Sequence, residues 1–238
     1  MYREWANFVG KERERFSVED SNLFAFCFSK ATVYRAYLDF IIERYRVSTV
    51  DFIADTKARH ELIRQGSQDR AASLKNSWPL QEKLHLDIES FYIFAKILLD
   101  HIARAIQFYF GQAQGASLNS HDKLTKYVEQ YASLKGLAPL PRSLLALIKE
   151  LKQKVCDYRD KQIEHENNPR TIKGTMYMTD GGPSWIATTR LYPTRTDTQV
   201  EGQSPVGLIE QIDEYMRQVI NYIEQNQNKT TLKISEKG

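Results

Sequence analysis

The stretch PRSLLALIKELKQKVCDYRDKQIEHENNP, residues 141–169, decides which fold the sequence indicates. Its apolar side chains recur at steps of three and four, at Leu144, Leu147, Ile148, Leu151, Val155 and Tyr158. That spacing is typical of an amphipathic helix. Pro141 suits the first turn, and Pro169 ends the helix because a proline disfavours helical backbone in the residue before it. The sequence therefore predicts a helix with Arg159 in its last turns and His165 at or just past its end.

Arg159 and His165 together suit chemistry on a phosphodiester. A histidine gains or loses a proton near neutral pH, and the carbonyl end of a helix favours its protonated form. An arginine stays charged and stabilises negative charge that develops on phosphate oxygens. Six residues of an ideal helix rotate a side chain by roughly 240°. The two side chains therefore converge only if the backbone leaves the helix near Glu164, or if a second copy of the chain completes the cluster.

The arrangement of Arg159, Asp160 and His165 resembles the motif of the HEPN superfamily. These all-helical domains have an arginine, a polar residue directly after it and a histidine a few residues further on. The resemblance covers roughly 79–227. It implies a metal-independent endoribonuclease that needs no cofactor and works as a homodimer with two motifs facing one cleft. Many members are toxins of toxin–antitoxin systems or phage-defence effectors, whereas others have kept the fold and lost catalysis.

The resemblance implies a role for each motif residue. His165 is the general acid or base at the ribose 2′-hydroxyl or the leaving oxygen, Arg159 stabilises the phosphorane, and Asp160 orients one of them. Two alternatives stay open: a non-catalytic HEPN-like module that binds a protein partner or a nucleotide, and a helical enzyme unrelated to HEPN. The bland alternative is a solvated helix end. Some HEPN toxins have a tyrosine two residues after the histidine, where an antitoxin modifies it, but this chain has Asn167.

Composition narrows the class of protein. The 238 residues are 42% hydrophobic, enough for one large helical domain or for one and a half small ones. The net charge of +3 is compatible with RNA but does not establish it. Cys27 and Cys156 stand far apart without neighbouring ligand residues, so we expect free thiols, no metal and a cytoplasmic protein. We expect no signal peptide and no membrane span. We also expect Cys156 to be a packing residue and not a catalytic nucleophile.

Residues 1–78 are predicted to form an N-terminal helical extension, with a short helix or an arm at about 2–15 and helices at about 19–46 and 48–65. The second of these has two apolar lines. One is a heptad seam formed by Phe24, Cys27, Ala31, Tyr34, Leu38, Ile41 and Tyr45, and the other consists of Phe26, Val33, Tyr37 and Phe40. Because both lines are apolar, both need covering. We expect other helices of the same chain to cover them, and a subunit interface is the alternative.

Residues 79–227 are predicted to form the HEPN-like core, starting with a helix from Pro79 to Phe110 after a polar connector. One side of this helix has a polar line of Glu89, Lys96, Asp100 and Gln107. The line is either a solvated face or the wall of the cleft in which Arg159 works, with Lys96 and Asp100 as substrate-binding residues. A further helix is expected between Ser120 and Gly136, and the last one begins at Ser204 and Pro205.

A β-hairpin is predicted at about 171–192, because two alternating stretches flank Asp180-Gly181-Gly182-Pro183. It is either a lip over the active site or a structural flap. As a lip it brings Lys173 and Arg190, together with Lys161, to the RNA backbone. Residues 228–238 are predicted to be a flexible tail. The sequence thus predicts a mostly α protein, a HEPN-like helical bundle with an N-terminal helical extension and one inserted β-hairpin.

Overall fold

The computed structural model describes residues 1–65, 70–160, 170–179, 182–191, 200–201 and 205–235. The described chain is mostly helical, as predicted. In chain order its helices are α1 (Tyr2–Arg13), α2 (Val18–Arg64), α3 (Arg70–Phe110), α4 (His121–Leu134), α5 (Arg142–Leu151) and α6 (Pro205–Gln225). A π-helical segment, Lys152–Asp157, follows α5, and a 3₁₀ turn, Gln227–Lys229, follows α6. The strands are β1 (Arg170–Thr179), β2 (Gly182–Leu191) and β3 (Val200–Glu201), and they pair in the order β1-β2-β3.

The residues group into two compact units, each made of non-consecutive segments. The first consists of Met1–Leu38, Tyr92–Arg159 and Val206–Gly238, and the second of Asp39–Phe91 and Asp160–Pro205. Aromatic rings of α1, α2 and α3 form the core of the first unit, where Phe24 and Phe28 pack with centroids 4.3 Å apart. Trp5 is fully buried beside them, and its indole N–H donates to the carbonyl of Phe28 at 3.0 Å. Burial of large rings with their polar atoms satisfied stabilises this unit.

The predicted break in α2 at Ser48 is wrong, because one helix runs from Val18 to Arg64. A hydroxyl followed by an acidic residue indicated a helix start. In the structure the Ser48 hydroxyl is buried and donates to the Asp87 carboxylate at 2.7 Å instead. Arg44 also donates to Asp87. The cap residue therefore serves a tertiary contact within the second unit, and local capping preference is overridden.

The predicted start of α3 at Pro79 is also wrong. The helix begins at Arg70, so Pro79 lies inside it and part of the expected polar connector is helical. A proline removes one hydrogen bond from a helix interior, which makes it a probable boundary rather than an obligatory one. Pro79 does mark a position where the helix lacks one backbone hydrogen bond, but the helix continues through it.

Both ends of α4 agree with the sequence prediction. Ser120 caps the first turn by accepting from the backbone N–H of Lys123 at 3.3 Å. At the other end Gly136 adopts φ +61°, a left-handed conformation that costs glycine little. Leu137 N then donates to Ala132 O at 2.9 Å, and Gly136 N donates to Ser133 O at 3.1 Å. This pair of bonds is a Schellman motif, which closes the helix.

The predicted flexible tail makes defined contacts up to Ser235. Thr231 N donates to Tyr109 O at 3.1 Å, and Lys233 O accepts from Ser17 N at 2.8 Å. Ile234 forms an isolated antiparallel bridge with Phe16. Polar composition indicated a solvated end. Backbone groups, which composition does not report, hold this segment against the first unit.

The two apolar lines of α2 have different fates. The heptad seam points inward, with Phe24, Ala31 and Leu38 fully buried. The second line is exposed, at 65% for Phe26, 44% for Val33, 44% for Tyr37 and 74% for Phe40. In the described part of the chain the expectation that helices of the same chain cover this line is met only for Tyr37, which packs edge-on against Phe94 of α3 with ring centroids 5.7 Å apart. Apolar periodicity shows that a face can be buried but does not show which chain buries it.

Candidate functional site

The structure describes four of the predicted site residues in detail, namely Arg159, Asp160, Lys96 and Asp100. Arg159 and Asp160 are half-buried at the end of the described helical chain. His165 and Lys161 lie outside the described residues, and so do the side chains of Lys173 and Arg190, whose backbones belong to β1 and β2. The division between the two units falls between Arg159 and Asp160. Arg159 and the helical residues before it, from Tyr92 onwards, belong to the first unit.

The helix that leads to Arg159 is not a continuous α-helix. After Leu151 the backbone winds as the π segment, Lys152–Asp157. In a π-helix each turn closes from residue i to i+5, so residues five apart become neighbours. Lys152 and Asp157 show this directly, since Lys152 Nζ lies 2.5 Å from Asp157 Oδ1. In an α-helix the same two side chains would point about 140° apart.

The π segment is held to α3 and α4 by a chain of alternating charges. Lys96 Nζ lies 2.9 Å from Asp100 Oδ1 and 2.8 Å from Asp122 Oδ2. Lys152 Nζ lies 2.9 Å from Asp122 Oδ1, and it also contacts Asp157. We call Asp100, Lys96, Asp122, Lys152 and Asp157 the ion-pair chain. It joins three helical elements of the first unit.

The ion-pair chain corrects the expectation of a solvated polar line on α3. Lys96 is only 8% exposed, because α4 packs over it. Asp100 Oδ1 also accepts from the backbone N–H of His121 at 2.7 Å, so this carboxylate caps the start of α4. Asp122 stands in the first turn of the same helix, where the macrodipole favours negative charge. Lys96 and Asp100 thus form an ion pair inside a half-buried network.

The electrostatics of the network fix its protonation. Burial alone would raise the pKa of Asp122, but hydrogen bonds from Lys152 and Lys96 outweigh it and lower that pKa to about 2. Burial opposes the charge on Lys96, yet hydrogen bonds to Asp100 and Asp122 raise the pKa of the ammonium. These groups therefore stay charged across the neutral range. Asp122 and Lys96 therefore hold the helices together and are poorly suited to transfer protons.

His121 lies beside the ion-pair chain and is fully buried. Its Nε2 lies 3.0 Å from the carbonyl of Ile148 and so donates to it, which leaves Nδ1 unprotonated. Nδ1 has no hydrogen-bond partner in the described part of the chain, and the same is true of the buried hydroxyl of Tyr215. Burial lowers the pKa of His121 to about 4. The imidazole is therefore neutral at pH 7.

Two further residues flank the motif. Tyr158, directly before Arg159, stacks on Tyr92 of α3, with ring centroids 4.2 Å apart. Cys156 is fully buried, and burial raises the pKa of its thiol to about 12. Cys156 is therefore a packing residue, as expected, since the thiol rather than the nucleophilic thiolate is present near neutral pH. The Tyr92–Tyr158 stack and the ion-pair chain both hold the backbone immediately before Arg159.

Sequence reasoning missed Asp122, Lys152 and Asp157. Asp122 carried a weak signal, because an acidic residue after an N-cap serine is usually explained by the helix dipole alone. Lys152 and Asp157 carried none, since a spacing of five does not bring side chains together in an α-helix. The π segment that pairs them depends on tertiary contacts with α3 and α4.

Comparison with protein-family models, with curated proteins and with solved structures finds no match to this chain. The resemblance to HEPN domains therefore rests on the motif and its helical setting. Across the described residues, no group of three or more His, Cys, Asp or Glu side chains is placed to hold a metal ion. No helix in that part of the chain is both long and apolar enough to cross a bilayer.

Proposed function

We propose that the protein is a metal-independent endoribonuclease of HEPN type that works as a homodimer, in the setting of a toxin or defence effector. One observation supports the proposal above the others. Arg159 and Asp160 continue a helical segment that the ion-pair chain and the Tyr92–Tyr158 stack hold to α3 and α4. Catalytic groups must be held close to their productive geometry, and π turns within helices occur frequently at functional sites.

In the proposed reaction the ribose 2′-hydroxyl attacks the adjacent phosphorus, and the 5′-oxygen leaves. His165 removes the proton from the 2′-hydroxyl or donates one to the leaving oxygen. The products are a 2′,3′-cyclic phosphate and a 5′-hydroxyl. Arg159 stabilises the equatorial oxygens of the phosphorane, and Asp160 orients Arg159 or His165.

The remaining predicted site residues divide into two groups in this proposal. Lys96 is buried and neutralised by two carboxylates, so Lys96 and Asp100 support the helix that presents Arg159. Lys161, Lys173 and Arg190 supply the contacts to the RNA backbone. The register of β1 and β2 sets Lys173 opposite Thr188 and Arg190 opposite Thr171, so the two basic residues occupy neighbouring positions of the sheet. We propose that these strands are an insert in the HEPN-like core and that their basic residues contact RNA.

The test is cleavage of varied single-stranded RNAs by Arg159→Ala, His165→Ala and the double variant. Each single variant should lose cleavage by at least about 1,000-fold, and the double variant should lose little more, because groups that act on one transition state fail together. Lys149→Ala is the matched control, because Lys149 is an exposed cation of α5 outside the motif and outside the proposed RNA contacts, and it should retain most of the activity.

Two outcomes would overturn parts of the proposal. If the folded wild-type dimer cleaves none of the RNAs, the nuclease activity is excluded and the non-catalytic binding module takes its place. If cleavage occurs but survives His165→Ala, the proton-transfer role of that residue is wrong. Circular dichroism and urea unfolding of each variant separate loss of chemistry from loss of fold.

A further inference from the structure

The exposed line on α2 continues over several turns with heptad spacing. Leu23, Phe26, Lys30, Val33, Tyr37 and Phe40 follow one another at steps of three, four, three, four and three. Their apolar members are 44–74% exposed. We call these six residues the α2 stripe. Because α2 is one uninterrupted helix, the steps place all six along one face.

We propose that a second copy of this chain covers the α2 stripe, by antiparallel pairing of α2 with α2 about a two-fold axis. The inference goes beyond the proposed ribonuclease activity and does not depend on it. It rests on the self-complementarity of the stripe, on its orientation preference and on its area.

Orientation follows from the single charge in the stripe. In a parallel pair each position faces its own copy, so Lys30 would face Lys30 of the other helix in the centre of an apolar seam, where like charges are costly. In an antiparallel pair the set that contains Lys30 faces the other set, which consists of Phe26, Val33 and Phe40. All three are apolar, so Lys30 meets an apolar side chain in every such register.

Lys30 already contacts an apolar member of the stripe. Its ammonium already lies 4.5 Å from the ring centroid of Phe26 in the same helix, a cation–π contact. A lysine can bury its methylene stem along an apolar partner while the charge reaches the rim. Lys30 therefore disfavours the parallel arrangement more than it disfavours association as such.

The area is sufficient for a dimer. At the exposures above, the five apolar side chains offer roughly 500 Å² per copy, taking about 150–250 Å² for a whole aromatic side chain. Two copies bury about 1,000 Å² in all, close to the lower bound of specific interfaces. Exposed apolar patches of this size on a protein commonly mark interaction sites.

The first experiment measures mass by light scattering between about 1 and 100 μM for wild type, Phe26→Glu and Val18→Glu. Wild type should approach twice the chain mass of 27.7 kDa. Phe26→Glu should weaken self-association by at least about 100-fold, because the new carboxylate is desolvated against an apolar partner. Val18 is 82% exposed on the same helix but outside the stripe, so Val18→Glu is the matched control and should associate as wild type does. Circular dichroism and urea unfolding check that both variants fold.

The second experiment tests orientation with Leu23→Cys in a Cys27→Ser background under oxidising conditions. Leu23 faces its own copy only in a parallel pair, so no disulfide-linked dimer should form. A strictly monomeric wild type, or a Phe26→Glu variant that associates like wild type, would overturn the proposed surface. Rapid cross-linking of Leu23→Cys would overturn the antiparallel arrangement. A strictly monomeric wild type would also overturn the homodimer of the ribonuclease proposal, whereas a Phe26→Glu variant that associates like wild type would overturn the α2 surface alone, so the two failures are distinguishable.

Discussion

At the scale of single residues, the buried imidazole of His121 ties the start of α4 to the end of α5. Its ring Nε2–H donates to the carbonyl of Ile148, and its backbone N–H donates to the carboxylate of Asp100. Lys96, Asp100 and Asp122 all influence its titration, but burial dominates. Folding therefore favours the neutral form of His121, so protonation of its imidazole destabilises the folded state.

His121 should make the protein lose stability on mild acidification. The pKa of His121 falls from 6.5 in the unfolded chain to about 4 in the folded one, so the unfolded state binds more protons between those values. The His121 contribution to the free energy of unfolding should therefore fall by up to about 3 kcal/mol as pH drops from 6.5 to 4 and then level off. Asp122, whose pKa falls from 3.8 to about 2 on folding, keeps its contribution across this window and loses it as pH falls from 3.8 towards 2.

The measurement is urea unfolding from pH 4 to 7.5 for wild type, His121→Gln and His60→Gln. Glutamine keeps an N–H donor but does not titrate, so His121→Gln should be less stable at pH 7 and should show a flatter pH dependence. His60 is exposed, and His60→Gln should retain the wild-type slope. An unchanged slope in His121→Gln would show that another group controls the transition.

At the scale of elements, the π segment changes which face of the helix Arg159 occupies. The sequence allowed that face to be estimated only for an ideal α-helix, and the extra residue of a π turn shifts it. The apolar spacing still identified the buried side, since Leu144, Ile148, Leu151 and Val155 are buried. A periodic pattern therefore locates a helix and its core face more securely than the angle between two polar side chains.

Deletion of Gln153 should convert the π segment into regular α-helix with little loss of stability. A turn that closes from i to i+5 contains one residue more than a turn that closes from i to i+4. Removing the exposed Gln153 lets the turn close without rotating Arg159, and it leaves Lys152 and Asp157 four residues apart, a spacing that retains their ion pair. We expect a change in unfolding free energy within about 1 kcal/mol and retained RNA cleavage.

The control is deletion of Gln130, an exposed residue of the regular helix α4. There the residues that follow rotate by about 100°, which turns the buried Tyr131 and Ala132 away from the core. This variant should unfold at a much lower urea concentration than wild type. If both deletions destabilise equally, the π segment is not a removable extra residue but a required part of the core.

At the scale of the whole molecule, the sequence predicted the helical class and most helices, because apolar periodicity and end signals such as Ser120 and Gly136 act locally. It failed where distant residues decide. Ser48 bonds to Asp87 instead of capping a helix, and the ion-pair chain joins residues that are far apart in sequence. The motif containing Arg159 was visible because its residues are neighbours in the chain. The ion-pair chain was not visible in the sequence, since it depends on how α3, α4 and the π segment pack.

The proposed ribonuclease makes one prediction about how two chains share a site. Arg159 and His165 do not share a face of an ideal helix, so we expect the shared cleft to contain two catalytic sites, each with Arg159 from one chain and His165 from its partner. Arg159→Ala and His165→Ala are each inactive alone, but a mixed dimer has one site with both native residues and one with neither. After subunit exchange, an equimolar mixture should recover about a quarter of wild-type cleavage, because half of the dimers are mixed and each has one working site of two. A mixture of the double variant with either single variant contains no intact site and should stay inactive. Absence of recovery despite exchange, shown by mass spectrometry of differently tagged chains, would place both residues of a working site in one chain.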